Sequence, residues 1–377
     1  MVGFLHRHPI LCLAFLTPGI VEYLSTSSPV LALVESPIAF LLFLAVNVGQ
    51  YTAGALLIRE AMIRWGKGWA TGGLLALAYG ITEEGLGDNT LFRNAQHADG
   101  ILGVYGHFAG VNWVWSVGVL VLHVTVSMAL PIVVLALALP ETRGRSLLGR
   151  KGVAVALGAV AASTAFEMYL VLAAYHFWMG PALLVASVAL IGGLMVGAYA
   201  VPAGLWFPAH PWPTTQPWKM AVVGFVFFPV ALATEYGFAA TPVPAALAIG
   251  VELVMLGMIL EWIRRHIGQF RNESLVVHLA FGLVAWQAAF GVLLTLGLPY
   301  TLPLVAVALL FFLRLRKRYG GFVDLPDRPT PPPGALGEPP SCHEPKGVQV
   351  PSRSTELGSG PHASRNRVAR LTPVPVR

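Results

Sequence analysis

Residues 111–139 read VNWVWSVGVLVLHVTVSMALPIVVLALAL, and no Asp, Glu, Lys or Arg interrupts them. A helix crosses about 30 Å of hydrocarbon with about 20 predominantly apolar residues. This stretch is long enough to do so, and it carries a histidine, His123, near its middle. Nine further segments qualify on either side: 9–23, 38–58, 69–87, 153–178, 182–205, 219–238, 243–263, 275–296 and 300–313, the first and last marginally. The expected fold is all-α, a polytopic transmembrane helix bundle of about ten helices.

Composition points the same way. Of 377 residues, 56% are hydrophobic and 11% charged, and the mean hydropathy is +0.69. Soluble domains carry about 25% charged residues. Lipid in place of water around most of the chain explains the deficit. The formal net charge is +6, but no basic run interleaves with aromatics, so nucleic acid is not an expected partner.

The basic residues sort by topology instead. With the amino terminus inside, the inner positions are Arg7; Arg59, Arg64 and Lys67; Arg143, Arg145, Arg150 and Lys151; Lys219; Arg264, Arg265 and Arg271; Arg314, Arg316, Lys317 and Arg318; and the tail. Of the 24 Lys and Arg, only Arg93 falls on the other side. Excess Lys and Arg marks cytoplasmic loops. The expected location is the cell (inner) membrane, with both termini cytoplasmic and anionic lipid meeting the basic loops and tail.

Beyond Gly320 the composition shifts to Pro, Gly, Ser and Arg, including Pro331-Pro332-Pro333. Such a segment buries too little apolar surface to offset its ordering entropy. The expected division is a transmembrane domain over 1–319 and a disordered cytoplasmic tail over 320–377. Cys12 and Cys342 supply neither a disulfide framework nor a zinc knuckle. Arg7 and the short apolar run after it resemble a secretory signal, but Pro18 and Glu22 interrupt the run. A retained anchor helix is expected.

Ionisable groups at membrane depth need a reason to be there. Glu83 and Glu84 lie near the outer end of the third segment, with Asp88 and Asn89 at its mouth. Adjacent helical residues point about 100° apart, so the two carboxylates are not expected to face one partner squarely. On the fourth segment Asn112, Ser116, His123 and Ser127 share one face. That face should meet protein or a wet cavity. His123 falls about 18 Å below the start of its helix. Glu167 and Glu252 sit near mid-helix, and Glu22 and Glu235 near outer ends. Together they suggest an outward-opening polar cavity floored by His123, Glu167 and Glu252. Asn47, Gln50 and Gln287 are further polar positions within segments.

Two loops also carry polar groups. His97, Asp99 and His107 lack the spacing of a zinc site. Glu60 and Arg64 form an i, i+4 pair that, with Trp65 and Trp69, reads as an interfacial clamp.

The string Arg64-Trp65-Gly66-Lys67-Gly68-Trp69 is followed by Ala78-Tyr79-Gly80-Ile81, Glu83-Glu84-Gly85-Leu86 and Gly110-Val111-Asn112-Trp113-Val114-Trp115. Over residues 9–141 the chain resembles a family of uncharacterised prokaryotic multi-pass membrane proteins. The resemblance implies a membrane protein and no particular activity. The chain is also more distantly similar to the intramembrane metalloproteases that process CaaX proteins and bacteriocins. Their pattern is EExxxR, then FxxxH, then HxxxN. Glu83 and Glu84 match the paired glutamates, Asp88 stands at the Arg position, no FxxxH lies between, and His123 with Ser127 makes an HxxxS.

Three readings follow. A carrier of a small or lipid-like substrate would take up protons or cations at His123, Glu167 and Glu252, with Asn112, Ser127 and Glu235 along the path. A glutamate-dependent hydrolase would use Glu83 or Glu84 to activate water, with His123 as ligand or oxyanion partner and zinc as its cofactor. An assembly protein would use the same groups only to bond its helices.

Overall fold

The computed structural model describes residues 7–25, 35–94, 100–206, 212, 215–267, 273–294 and 302–319. The tail 320–377, with Cys342, lies outside the described residues, as do His97, Asp99 and Arg271. Ten long helices follow one another: α1 Pro9–Tyr23, α2 Pro37–Arg64, α3 69–87, α4 Trp113–Ala138, α5 Arg150–Tyr175, α6 Gly180–Ala200, α7 Pro217–Ala239, α8 Ala245–Ile267, α9 Glu273–Leu294 and α10 Leu302–Tyr319. These are the ten expected segments, with ends shifted by a few residues. The largest shifts are at the ends of α10 and α2, each six residues past the expected bound. Helix α2 continues past Ile58 because Arg59 and Glu60 stay buried within it.

Seven of the helices, α2 and α4–α9, are long and apolar enough to cross a membrane. Helix α1 is shorter. Helix α3 carries Glu83 and Glu84, and α10 ends in Arg314, Arg316, Lys317 and Arg318. The protein is a multi-pass, all-α membrane protein. In α4 and α9, 56% of the apolar window is buried, against 11% in α6 and α8. Helices α4 and α9 are therefore central, and α6 and α8 turn residues such as Val185, Val196, Val254 and Met258 outward.

Small residues set the closest helix approaches, as expected where apolar side chains gain nothing by leaving lipid. A Cβ at Gly224 of α7 would lie 2.5 Å from the Leu279 carbonyl oxygen of α9. One at Gly282 of α9 would lie 2.8 Å from the Phe225 nitrogen of α7. Gly80 does the same for the site. A Cβ there would come within 3.1 Å of the His123 Cβ, so any larger residue would push α4 back by a few tenths of an ångström.

The loops grouped by their basic residues meet at one end of the bundle. Glu60, only 2% exposed, accepts from Arg59 Nη1 at 3.3 Å, Arg64 Nε at 3.2 Å, the Leu147 N–H at 2.6 Å and the Ser146 hydroxyl. Arg59 also donates to the carbonyls of Thr142 and Arg145. The expected Glu60–Arg64 pair is thus half of a clamp between the α2–α3 turn and the α4–α5 loop. Lys67 donates to the Val201 carbonyl at 2.6 Å, Arg143 pairs with Glu273, and the Tyr319 hydroxyl donates to the Leu137 carbonyl at 2.8 Å. Trp65 packs edge-on against Tyr199, with centroids 5.4 Å apart.

At the opposite end a two-residue hairpin, β1 His107–Phe108 against β2 Val111–Asn112, leads into α4. The Tyr105 hydroxyl donates to the Val243 carbonyl at 2.9 Å, tying the loop before this hairpin to the α7–α8 connection.

Candidate functional site

The groups expected to carry chemistry converge around His123. Its Nε2 lies 2.7 Å from Glu84 Oε1, and its Nδ1 lies 3.1 Å from Glu83 Oε2. All three residues are buried, with His123 2% exposed. One potential ligand atom from each falls within 4.8 Å of the others. Both carboxylates thus face one partner, contrary to expectation from an ideal helix. The imidazole offers two edges, and the α3 backbone is not α-helical there. Residues Ile81–Gly87 form a π-helical segment. Its wider i→i+5 turn changes how successive side chains project.

The same departure recurs on α1, α2 and α4. The π segments among the described residues are Gly19–Tyr23 in α1, Val48–Thr52 in α2, Ile81–Gly87 in α3 and His123–Ala129 in α4. They carry Glu22, then Gln50 and Tyr51, then Glu83 and Glu84, then His123 and Ser127. Such bulges are rare in helices and frequent at functional sites. Four of them coincide with the buried polar groups.

Tyr51 of α2 stacks on the imidazole, with centroids 6.4 Å apart and planes 9° from parallel. Its hydroxyl donates to Glu22 Oε1 at 2.6 Å. Tyr79 of α3 lies tilted against the ring, with centroids 6.2 Å apart. Tyr51 did not stand out in the sequence, and Tyr79 did so only as part of the Ala78-Tyr79-Gly80-Ile81 string. Both are tyrosines deep within apolar segments, away from the ends where aromatic belts sit, and that depth was the available signal.

Several buried polar atoms on these helices have no hydrogen-bond partner. They include Gln50 Nε2, the Tyr79 hydroxyl, Glu83 Oε2, His123 Nδ1, Ser127 Oγ and, on α5, Glu167 Oε2. Glu83 Oε2 and His123 Nδ1 are close, but not aligned for a hydrogen bond. Buried polar atoms are nearly always satisfied in folded proteins, so a concentration of orphans points to a site of chemistry or exchange.

Asn112 stands one step away. Its Nδ2 donates to the Thr90 carbonyl at 2.8 Å and to the Arg93 carbonyl. Its backbone N–H donates to Leu91 O at 2.8 Å. Thr90 in turn donates its hydroxyl to Glu84 Oε2. Asn112 thus latches the turn after α3 onto α4, and that turn holds Glu84. Of the polar stripe on α4, Ser116, His123 and Ser127 are all buried against protein.

The remaining acids divide into two groups rather than lining one outward cavity. Glu167 of α5 reaches α3, where a Cβ on Gly87 would lie 2.6 Å from its Oε2. Glu235 of α7 and Glu252 of α8 instead lie close enough to each other to interact. Both are buried, and Glu235 reaches Gly118 on α4. Glu252 therefore does not share a floor with His123 and Glu167.

Replacing Asn112 with Ala leaves the Thr90 and Arg93 carbonyls without this donor. The expected destabilisation is about 1–3 kcal/mol. Hydrogen exchange should accelerate selectively over residues 88–94, and unchanged protection there would contradict the latch. The chain matches no protein-family model, no curated protein and no solved structure.

Proposed function

We propose that the protein is a membrane carrier for a small or lipid-like substrate, in which Glu84, His123 and Glu83 form a proton-exchange centre. One observation carries the reading: an imidazole buried at membrane depth with a carboxylate at each ring nitrogen. Intramembrane chains of Glu and His are the usual parts of proton relays. Each ring nitrogen can donate or accept depending on tautomer, so a proton arriving at one carboxylate can leave by the other. Tyr51 with Glu22 extends the centre towards α1, and Glu167 extends it towards α5. The π segments add helices whose local hydrogen bonding has an α-helical alternative close by, which suits a site that must change state.

The hydrolase reading has one observation in its favour, the three ligand atoms within 4.8 Å. Two carboxylates and an imidazole suit zinc. A catalytic zinc needs about three protein ligands and a separate base. If Glu83 or Glu84 serves as base, only His123 and one carboxylate remain to hold the ion. The similarity to CaaX- and bacteriocin-processing metalloproteases supports this reading through the paired glutamates alone.

Orientation belongs to the same proposal. The basic loops gather at the clamp end, which supports placing that end and both termini in the cytoplasm of a cell (inner) membrane, against anionic lipid. A fluorescent protein fused after residue 319 should then glow inside the cell. A periplasmic reporter active at that position would reverse the assignment.

The carrier reading is tested in proteoliposomes loaded with a pH-sensitive dye. Under an imposed potential the wild-type protein should move protons faster than protein-free vesicles, and His123→Gln should remove that excess. Equal flux in the variant, or none in the wild type, would sink it. One zinc per purified chain, lost in His123→Gln without any proton flux, would instead favour the hydrolase.

A further inference from the structure

Arg93 has no role in the centre described above, and its surroundings are unusual. It is the one Lys or Arg among the described residues at the end of the bundle opposite the basic clamp. Only 5% of it is exposed, and both Nε and Nη1 lack a hydrogen-bond partner. The guanidinium carbon lies 4.7 Å over the Tyr175 ring of α5. The carboxylates of Glu84 and Asp88 are near enough to act on it electrostatically, but neither hydrogen-bonds those two nitrogens. A buried guanidinium with unused donors is expensive. The Arg93 backbone is fixed at this position, its amide N–H donating to the Asn89 carbonyl at 3.0 Å and its carbonyl accepting from Asn112 Nδ2.

A second orphan donor lies in the same part of the bundle. Trp115 Nε1, in the first turn of α4, is buried without a partner. Its ring packs against an apolar cluster of Leu91, Phe92, Val119 and Met179, which includes the residue next to Arg93. Donors of this kind and an apolar wall suit one ligand chemistry. Guanidinium binds carboxylate and phosphate oxygens through parallel N–H bonds, and an indole N–H adds a single further donor.

We infer that Arg93, held over the face of Tyr175, is a binding site for the carboxylate or phosphate group of an amphiphilic ligand, with Trp115 Nε1 as a further donor. If the carrier reading holds, this names its substrate class as an organic oxyanion. The binding itself rests on no transport step and is measured without a gradient. The oxyanion can come from a soluble acid or from a lipid headgroup.

Purified full-length protein in phosphatidylcholine nanodiscs is melted against sodium acetate and sodium phosphate, with chloride at equal ionic strength as control. In a second arm phosphatidylglycerol replaces part of the phosphatidylcholine. The wild-type midpoint should rise in one arm. A rise with acetate or phosphate identifies a soluble ligand, and a rise with phosphatidylglycerol alone identifies a lipid. Arg93→Gln should weaken the apparent affinity about tenfold or more, as expected for loss of charge-assisted hydrogen bonds, and Arg93→Lys should retain part of it. Trp115→Phe removes only the orphan N–H and should also weaken binding, which keeps the test decisive if Arg93→Gln does not fold. No rise in either arm, or equal rises in wild type and both Arg93→Gln and Trp115→Phe, would overturn the site.

Discussion

Two carboxylates buried side by side at membrane depth need a partner, and His123 meets both at once. Much of the surrounding architecture follows from that requirement. Gly80 lets α4 approach α3 closely enough for the imidazole to reach the carboxylates. The π turn over Ile81–Gly87 lets Glu83 and Glu84 address the same ring. Asn112 and Thr90 fix the turn that carries Glu84, and Tyr51 covers a face of the ring. Removing one member of such a set is far more disruptive than the strength of any one bond suggests, because it strands a buried charge.

The two ends of the bundle are built on different chemistry. At one end arginines and a buried Glu60 hold loop carbonyls, so the positive charge is largely spent on internal bonds. At the other end Arg93, the one Lys or Arg there among the described residues, keeps unused donors over the Tyr175 ring. The polar centre lies between them. If the protein is a carrier as proposed, the polar centre would serve for exchange and the Arg93 end for binding.

Most of the fold was legible in the sequence. Each of the ten apolar runs became a helix, since a segment as uniformly apolar as 111–139 satisfies its backbone in lipid only as a helix. The alternation of basic loops also anticipated which loops meet, as Arg59, Arg143 and Lys67 now show. The site was only partly legible. Glu83, Glu84 and His123 could be named as candidates, but an ideal 100° spacing hid their common partner, because π turns leave little mark on a sequence. Tyr51 was lost among apolar neighbours, and Tyr79 was noticed only within its motif string, with no sign that it meets the ring. The pairing of Glu235 with Glu252 depends on how α7 packs against α8, and helix spacing within one segment carries no information about that.

The central claim is that Glu84 and His123 act as one unit across the α3–α4 interface. A double-mutant cycle with Glu84→Gln, His123→Gln and the combined variant tests it most directly, read as unfolding free energy in a single detergent. Contacting charged residues show coupling of about 0.5–3 kcal/mol, whereas distant sites add within about 0.5 kcal/mol. The account predicts that the double variant is less destabilised than the sum of the singles, by an amount in the first range. Strict additivity would mean that the imidazole and the carboxylate do not interact.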